Sequence, residues 1–296
     1  MYLAHFGLRE LPFGITPDTA FTFSGRSHQE ALNTLLVALQ GGEGFVKITG
    51  EVGTGKTLLC RRLLASLGRK YVTAYIPNPA LRPRTLLLAL ADELDERLDP
   101  GADQHQLVKR LNDILLQFAA AGRRVVVCLD EAQALPLESL EALRLLSNLE
   151  TEKRKLLQVV LFGQPELDAK LLARSVRQLR QRIGFSHVLR GLDPGEVRRY
   201  LDHRLRVAGH GGGEVFTPAA ARLVARATGG VPRLVNIVAH KTLLAVYGQG
   251  GQVAGVRHAV AAVRDSVDLR AGGAGMTWWA GAVNALACAG LWRSGR

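Results

Sequence analysis

Apolar and polar positions follow two rhythms along this chain. Short runs that are apolar at nearly every position recur at 44–49, 71–76, 124–129, 157–162 and 185–189, and each predicts a strand. Between them apolar residues return every three or four positions, the spacing of one helix face. Leu32, Leu35, Leu36 and Leu39 mark such a face behind "SHQE" (residues 27–30), which reads as a capping box opening the helix. Leu58, Leu59, Leu63, Leu64 and Leu67 mark another. A run such as "VVVCL" has no polar side to turn to water, so it belongs in a parallel sheet covered on both faces. Beyond "GLDPGE" the strand rhythm stops. Helices are predicted at about 194–208, 217–228, 232–247 and 253–267, separated by "GHGGGE", "GG" and "GQGG". The pattern predicts an α/β core followed by an all-α lid.

The junction after the first strand carries chemistry. "TGEVGTGKTLLC" (residues 49–60) holds Gly50, Gly53, Gly55, Lys56 and Thr57 in the order G-x-x-x-x-G-K-T. Glycines let consecutive backbone N–H groups turn inward around a phosphate, and the helix that follows points its positive end at the same anion. Lys56 would reach the β- and γ-phosphates while the Thr57 hydroxyl ligates magnesium. The expected nucleotide-binding residues are Gly50, Glu51, Val52, Gly53, Thr54, Gly55, Lys56, Thr57 and Leu58, and the expected cofactors are ATP and Mg2+.

A second motif lies one βαβ span downstream. "VVVCLDEAQ" places Asp130 and Glu131 at the carboxyl end of a buried strand, where open parallel sheets bind their ligands. An Asp-Glu pair alone also caps helices. With the phosphate loop upstream, it reads as a magnesium-holding aspartate and a glutamate that polarises the attacking water. Gln164, in "LFGQPEL" at the end of the fourth strand, either hydrogen-bonds that water or the γ-phosphate, or belongs to a plain turn before Pro165. In "GGVPRLVN" Pro232 takes the first position of a helix and Arg233 its first turn. An arginine beside the positive end of a helix is unfavourable unless an anion lies near.

Composition changes the picture in two places. The 296 residues, 47% of them hydrophobic, can bury a substantial core. Cys60, Cys128 and Cys288 lie far apart in apolar segments, as reduced core thiols of a cytosolic protein rather than a disulfide frame. The histidines show no ligand spacing, and "MYLAHFGLRELPFG" has neither the basic start nor the apolar run of a secretory leader. The net charge of +12 is not evenly spread: residues 1–60 are near balance, and the excess is densest in "KLLARSVRQLRQRIGFSHVLR". There Lys170, Arg174, Arg177, Arg180, Arg182 and Arg190 occur with no acid among them. A solvated helix face, phosphate sensing in a neighbouring subunit and nucleic-acid contact all stand as readings of that run.

"SHQEALNTLLVAL", "GEGFVKITGEVGTGKTLLCR", "LDEAQ", "LRLLSNLET", "GQPEL", "LRQRI" and "GGVPRLVN" follow one another along nearly the whole chain. In this series the sequence resembles the AAA+ ATPases of the general-secretion and pilus-assembly type, the ExeA/GspA group. The resemblance implies a P-loop NTPase core with a five-stranded parallel sheet and flanking helices, followed by an all-α lid. It implies Gln164 as first sensor and Arg233 as second sensor. An arginine of "LRQRI" becomes the finger reaching a neighbour's nucleotide in a homo-oligomer, Arg182 by preference and Arg180 as alternate. Many AAA+ proteins carry asparagine where this chain has Gln164. The work implied is assembly or placement of a type IV (MSHA-like) pilus or secretion complex with its assembly proteins as partners. A DNA-transaction ATPase like the transposition helpers is the alternative, since these share the core.

The expected domains are an N-terminal segment and capping helix of the core (1–42), the ATPase core (43–192), the lid (193–270), and a glycine linker with an apolar tail (271–296). Residues 276–292 are uncharged, with Trp278, Trp279 and Trp292 near the ends. The tail reads as a spanning, re-entrant or interfacial anchor at the cytoplasmic face of the bacterial inner membrane, as a helix packed on the lid, or as a loose tail.

Overall fold

The computed structural model describes residues 2–16, 18–147, 150–151 and 154–266. Two compact units emerge: Arg26–Arg190 make one, and Met1–Gly25 with the chain from Gly191 make the other.

The first unit opens with α1 (Arg26–Gly41), β1 (Phe45–Thr49), α2 (Lys56–Ser66) and β2 (Tyr71–Ile76). It continues through α3 (Pro83–Glu93), α4 (Gln104–Ala120), β3 (Arg124–Leu129) and α5 (Leu137–Leu146). A short hairpin of β4 (Glu150–Thr151) and β5 (Arg154–Lys155) leads to β6 (Leu157–Gly163), α6 (Glu166–Leu171), α7 (Arg177–Arg182) and β7 (Ile183–Val188). Five strands form one sheet in the order β2-β3-β6-β1-β7, every neighbouring pair parallel. This is the expected sheet.

Its two faces are sorted by strand parity. Val125, Val127 and Leu129 join a cluster with Leu86 and Leu90 of α3, Leu111 of α4 and Leu140 of α5. Val126 and Cys128 join Leu35 of α1 and Leu59 of α2 in another. Burying each such leucine contributes about 1.5–3 kcal/mol, so a strand apolar at every position needs helices on both sides. At the sheet edge β7 has one partner, and Gly184, Phe185 and Ser186 are exposed. The strand also begins two residues before its apolar run.

The "SHQE" segment departs from the expected cap. The helix already begins at Arg26, and Glu30 pairs with Arg26 at 2.8 Å. The Ser27 hydroxyl accepts the Arg190 N–H at 3.0 Å instead.

The second unit carries α8 (Pro194–Val207), α9 (Pro218–Thr228), α10 (Pro232–Gly248) and α11 (Val256–Arg264). Asp193 and Glu196 form a capping box at the start of α8. The N-terminal segment packs here and not on the sheet: Tyr2, Phe6, Phe13 and Phe21 share one cluster with Val197, Leu201 and Val238. The segment expected to belong with the core over 1–42 is thus divided: residues up to Gly25 group with the helical unit and α1 groups with the sheet. Phe13 stands edge-on to Phe216, and Tyr2 Oη bonds His240 Nδ1 at 2.8 Å. Arg204 is buried beneath the segment, donating to the Pro12 carbonyl, with its guanidinium 4.6 Å from the centre of the Phe21 ring. Among the described residues no helix is long and apolar enough to cross a membrane. The expected anchor at 276–292, like Cys288, lies outside the described residues.

Candidate nucleotide site

Since β3, β6 and β1 are neighbours pointing the same way, their carboxyl ends open on one side of the sheet. The chain leaves β1 through residues 50–55 and enters α2 at Lys56. Gly53 and Gly55 have φ of 84° and 96°, a left-handed backbone that side chains resist and that this inward-facing turn requires. Lys56 is 5% exposed, and its Nζ donates to the carbonyls of Gly50 at 2.8 Å and Glu51 at 3.0 Å. Burial pulls its pKa below the usual lysine value, while the carboxylates of Glu131 and Asp130 oppose that shift.

Thr57 Oγ1 donates to Asp130 Oδ2 at 2.6 Å, which brings the two motifs into one site. The pair sets two hard oxygen donors side by side. Among the described residues no group of three or more His, Cys, Asp or Glu could hold a metal alone. Mg2+ suits such a site, because it keeps waters and phosphate oxygens and needs only one or two protein ligands. The buried lysine, the left-handed glycines and the helix start behind them suit the phosphates.

Glu131 follows in the left-handed region at φ 52°, a conformation that costs a non-glycine residue about 1–3 kcal/mol and tends to persist at functional sites. Gln164 Nε2 donates to Glu131 Oε2 at 2.9 Å, so the expected first sensor and the expected base meet directly. Gln133 Nε2 donates to the same oxygen, and Gln133 Oε1 accepts the Gln164 N–H at 3.0 Å. Lys170 Nζ donates to the carbonyls of Gln133 and Leu135. It braces the site and is not part of a solvated basic face.

Sequence reasoning missed three side chains here. Gln133 was legible as the polar end of "DEAQ". Tyr75 Oη lies 3.4 Å from Asp130 Oδ2, and burial together with Asp130 pushes its pKa up to about 12, so it stays a neutral donor. Its only signal was its place near the carboxyl end of β2, beside β3. His28, read as part of a cap, donates from Nε2 to the Thr54 carbonyl in the phosphate loop at 2.8 Å.

The expected arginines differ in exposure and partners. Arg182 is half-buried, donating to Ser147 Oγ at 3.0 Å and to the Arg144 carbonyl at 3.3 Å, at the carboxyl end of α5 in its own chain. Arg180, on the same helix, is exposed, as are Arg174, Arg177 and Arg190. Arg233 is exposed in the first turn of α10, where no acidic residue offsets it.

Residues 39–171 match the family described as AAA domain. The Cdc6p protein of Pyrobaculum aerophilum superposes with a TM-score of 0.62 at 19% identity, covering 84% of this chain and 71% of that one. The ORC2 protein of Aeropyrum pernix, solved as ADPNP-ADP complexes, gives 0.58 at 18% identity over 84% of this chain and 72% of its own. This is the AAA+ fold. The AAA+ chain is also 42% identical over 301 residues to general secretion pathway protein A of Aeromonas hydrophila, covering 100% of this chain and 53% of that protein. It is related to the general-secretion group and spans about half the length of that curated relative. An AAA+ fold of this kind implies a nucleotide hydrolase.

Proposed function

We propose that the chain is a Mg2+-dependent ATPase whose turnover drives assembly or placement of a secretion or type IV pilus complex at the cytoplasmic face of the bacterial inner membrane. The 2.6 Å contact between Thr57 and Asp130 carries the ATPase reading, because it unites the phosphate loop with the acidic strand end. Bound MgATP supplies an electrophilic γ-phosphoryl group and the charge that offsets its oxygens. Lys56 would exchange its two carbonyl partners for phosphate oxygens, Gly53 to Thr57 would present backbone N–H groups, and Thr57 with Asp130 would hold the ion. Glu131 orients the attacking water and takes its proton. Both amide donors, from Gln133 and Gln164, converge on Oε2, which leaves proton acceptance to Oε1.

Hydrolysis is completed across a subunit boundary. The finger is Arg180 rather than Arg182, since Arg180 is exposed while Arg182 is spent on α5 of its own chain. Arg233, at a helix start with no acid beside it, serves as the second sensor. The cellular task rests on the likeness to general secretion pathway protein A, and within that group we place the chain with MshM of the MSHA pilus. Exposed Arg174, Arg177, Arg180 and Arg190 favour a second reading, a DNA-transaction ATPase. Binding to random duplex DNA with a steep salt slope would select the DNA reading; recovery of pilus or secretion proteins with an ATP-held Glu131→Gln chain would select the first. A wild-type chain that hydrolyses no ATP in Mg2+ overturns both.

A further inference from the structure

His28 stands outside both nucleotide motifs, yet its side chain touches the phosphate loop. It is buried in the first turn of α1, and Nε2 lies 2.8 Å from the Thr54 carbonyl oxygen. A carbonyl only accepts, so Nε2 carries the proton. The next peptide is trans, as are the others among the described residues. In a trans peptide the C=O and N–H point in opposite directions. Holding the Thr54 oxygen toward α1 therefore turns the Gly55 N–H the other way, away from α1.

We propose that His28 is a positioning residue for the phosphate loop, fixing the Thr54–Gly55 peptide so that its N–H faces phosphate. The proposal rests on the ATPase reading above. Without the imidazole donor this peptide could rotate and present its oxygen to the anion, replacing an attraction by a repulsion. Gly55 shows how close the fit is: a Cβ there would meet His28 Nε2 at 2.9 Å, on a backbone already at φ 96°. The same turn of α1 also holds the end of the unit, because Ser27 Oγ accepts the Arg190 N–H. Leu189, one residue earlier, donates its N–H to the Thr49 carbonyl at 2.7 Å. Of these contacts, the one from His28 is made by a side chain directly to the loop backbone.

The test uses the full chain with MgATP. Leucine at this position fills similar space with no donor, whereas glutamine places an amide N–H near the Nε2 position. His28→Leu is expected to raise the KM for ATP about tenfold with kcat changed less than threefold, the signature of lost uniform binding. His28→Gln is expected to return KM to within about threefold of wild type. An unchanged KM in His28→Leu overturns the proposal, and so does an equal rise in both variants, which would make the role one of shape. Should His28→Leu fail to fold, the nitrogen chemical shifts of His28 in the wild-type chain decide the matter. A protonated Nε2 is required, and an Nε2 that reads as an unprotonated acceptor overturns the proposal. A wild-type chain that neither binds nor hydrolyses ATP would instead sink the ATPase reading and leave the contact between His28 and Thr54 intact.

Discussion

The phosphate half of the site and its arginines are built on opposite terms. Around Lys56, Thr57, Asp130 and Glu131 nearly every polar atom named has a partner from the same unit: carbonyls for the lysine, aspartate for the threonine, two amides for the glutamate. Arg180 and Arg233 are exposed and stand on short or newly begun helices. A buried lysine or carboxylate without partners would cost several kcal/mol, so the first group had to be satisfied within the fold. An exposed arginine carries no such penalty and can wait for its anion. On the proposed reading, holding nucleotide is a property of one chain, while completing its hydrolysis is left to groups that a second chain can supply or receive.

Five substitutions test that division, beginning with the largest effect. Lys56→Ala removes the strongest positive charge facing the β- and γ-phosphates, and ATP binding measured by titration should disappear together with turnover. Retained affinity would move the phosphate site elsewhere. Arg180→Ala should leave ATP affinity near wild type while kcat falls on the order of a thousandfold, the scale of a missing arginine finger. Mixing Arg180→Ala with Glu131→Gln chains should restore part of the activity, because some mixed interfaces pair an intact glutamate with an intact arginine. Absence of any recovery in mixtures shown to co-assemble would return the finger to Arg182 or dispense with it.

Smaller effects sharpen the contrast within one chain. Gln133→Leu removes one of two donors on Glu131 Oε2 and should lower kcat by roughly tenfold with little change in KM, since only the transition state uses that orientation. A rise in KM of the same size would instead make Gln133 part of nucleotide binding. Arg182→Ala should act on stability, lowering the unfolding free energy by about 1–2 kcal/mol through its bonds to Ser147 and the end of α5. Denaturant unfolding reads that change, and a collapse of turnover without loss of stability would show that Arg182 reaches a neighbour after all.

How much of this was legible depended on how far apart in the chain the partners lie. The strands β2, β3 and β6 showed as apolar runs because each is covered on two faces, and the G-x-x-x-x-G-K-T loop because its chemistry fixes residue types over eight positions. Gln164 was placed correctly at a strand end, but its partner Glu131 depends on β6 lying beside β3. Tyr75 and His28 were illegible for the same reason. A tyrosine near a strand end and a histidine in a helix have many ordinary roles, and only register and packing bring them to Asp130 and Thr54. The N-terminal segment was assigned to the wrong unit because its aromatic residues find their partners, such as Phe216 and His240, some two hundred positions away.

That last arrangement bears on how the molecule is made. The helical unit takes one piece from residues before Arg26 and its remaining pieces from Gly191 onward, so the unit that carries the sheet is an insertion within it. During synthesis the inserted unit has all its residues in hand once Arg190 has left the ribosome, and it can close around its own sheet. Tyr2, Phe6 and Phe13 have by then been exposed for the whole of that time, with α8 to α10 still unmade. The bond from Tyr2 to His240 joins residues 238 positions apart. Such a pairing stays open until late, and three aromatic residues left uncovered that long give this segment the greatest exposure to aggregation or to a chaperone before the chain is finished.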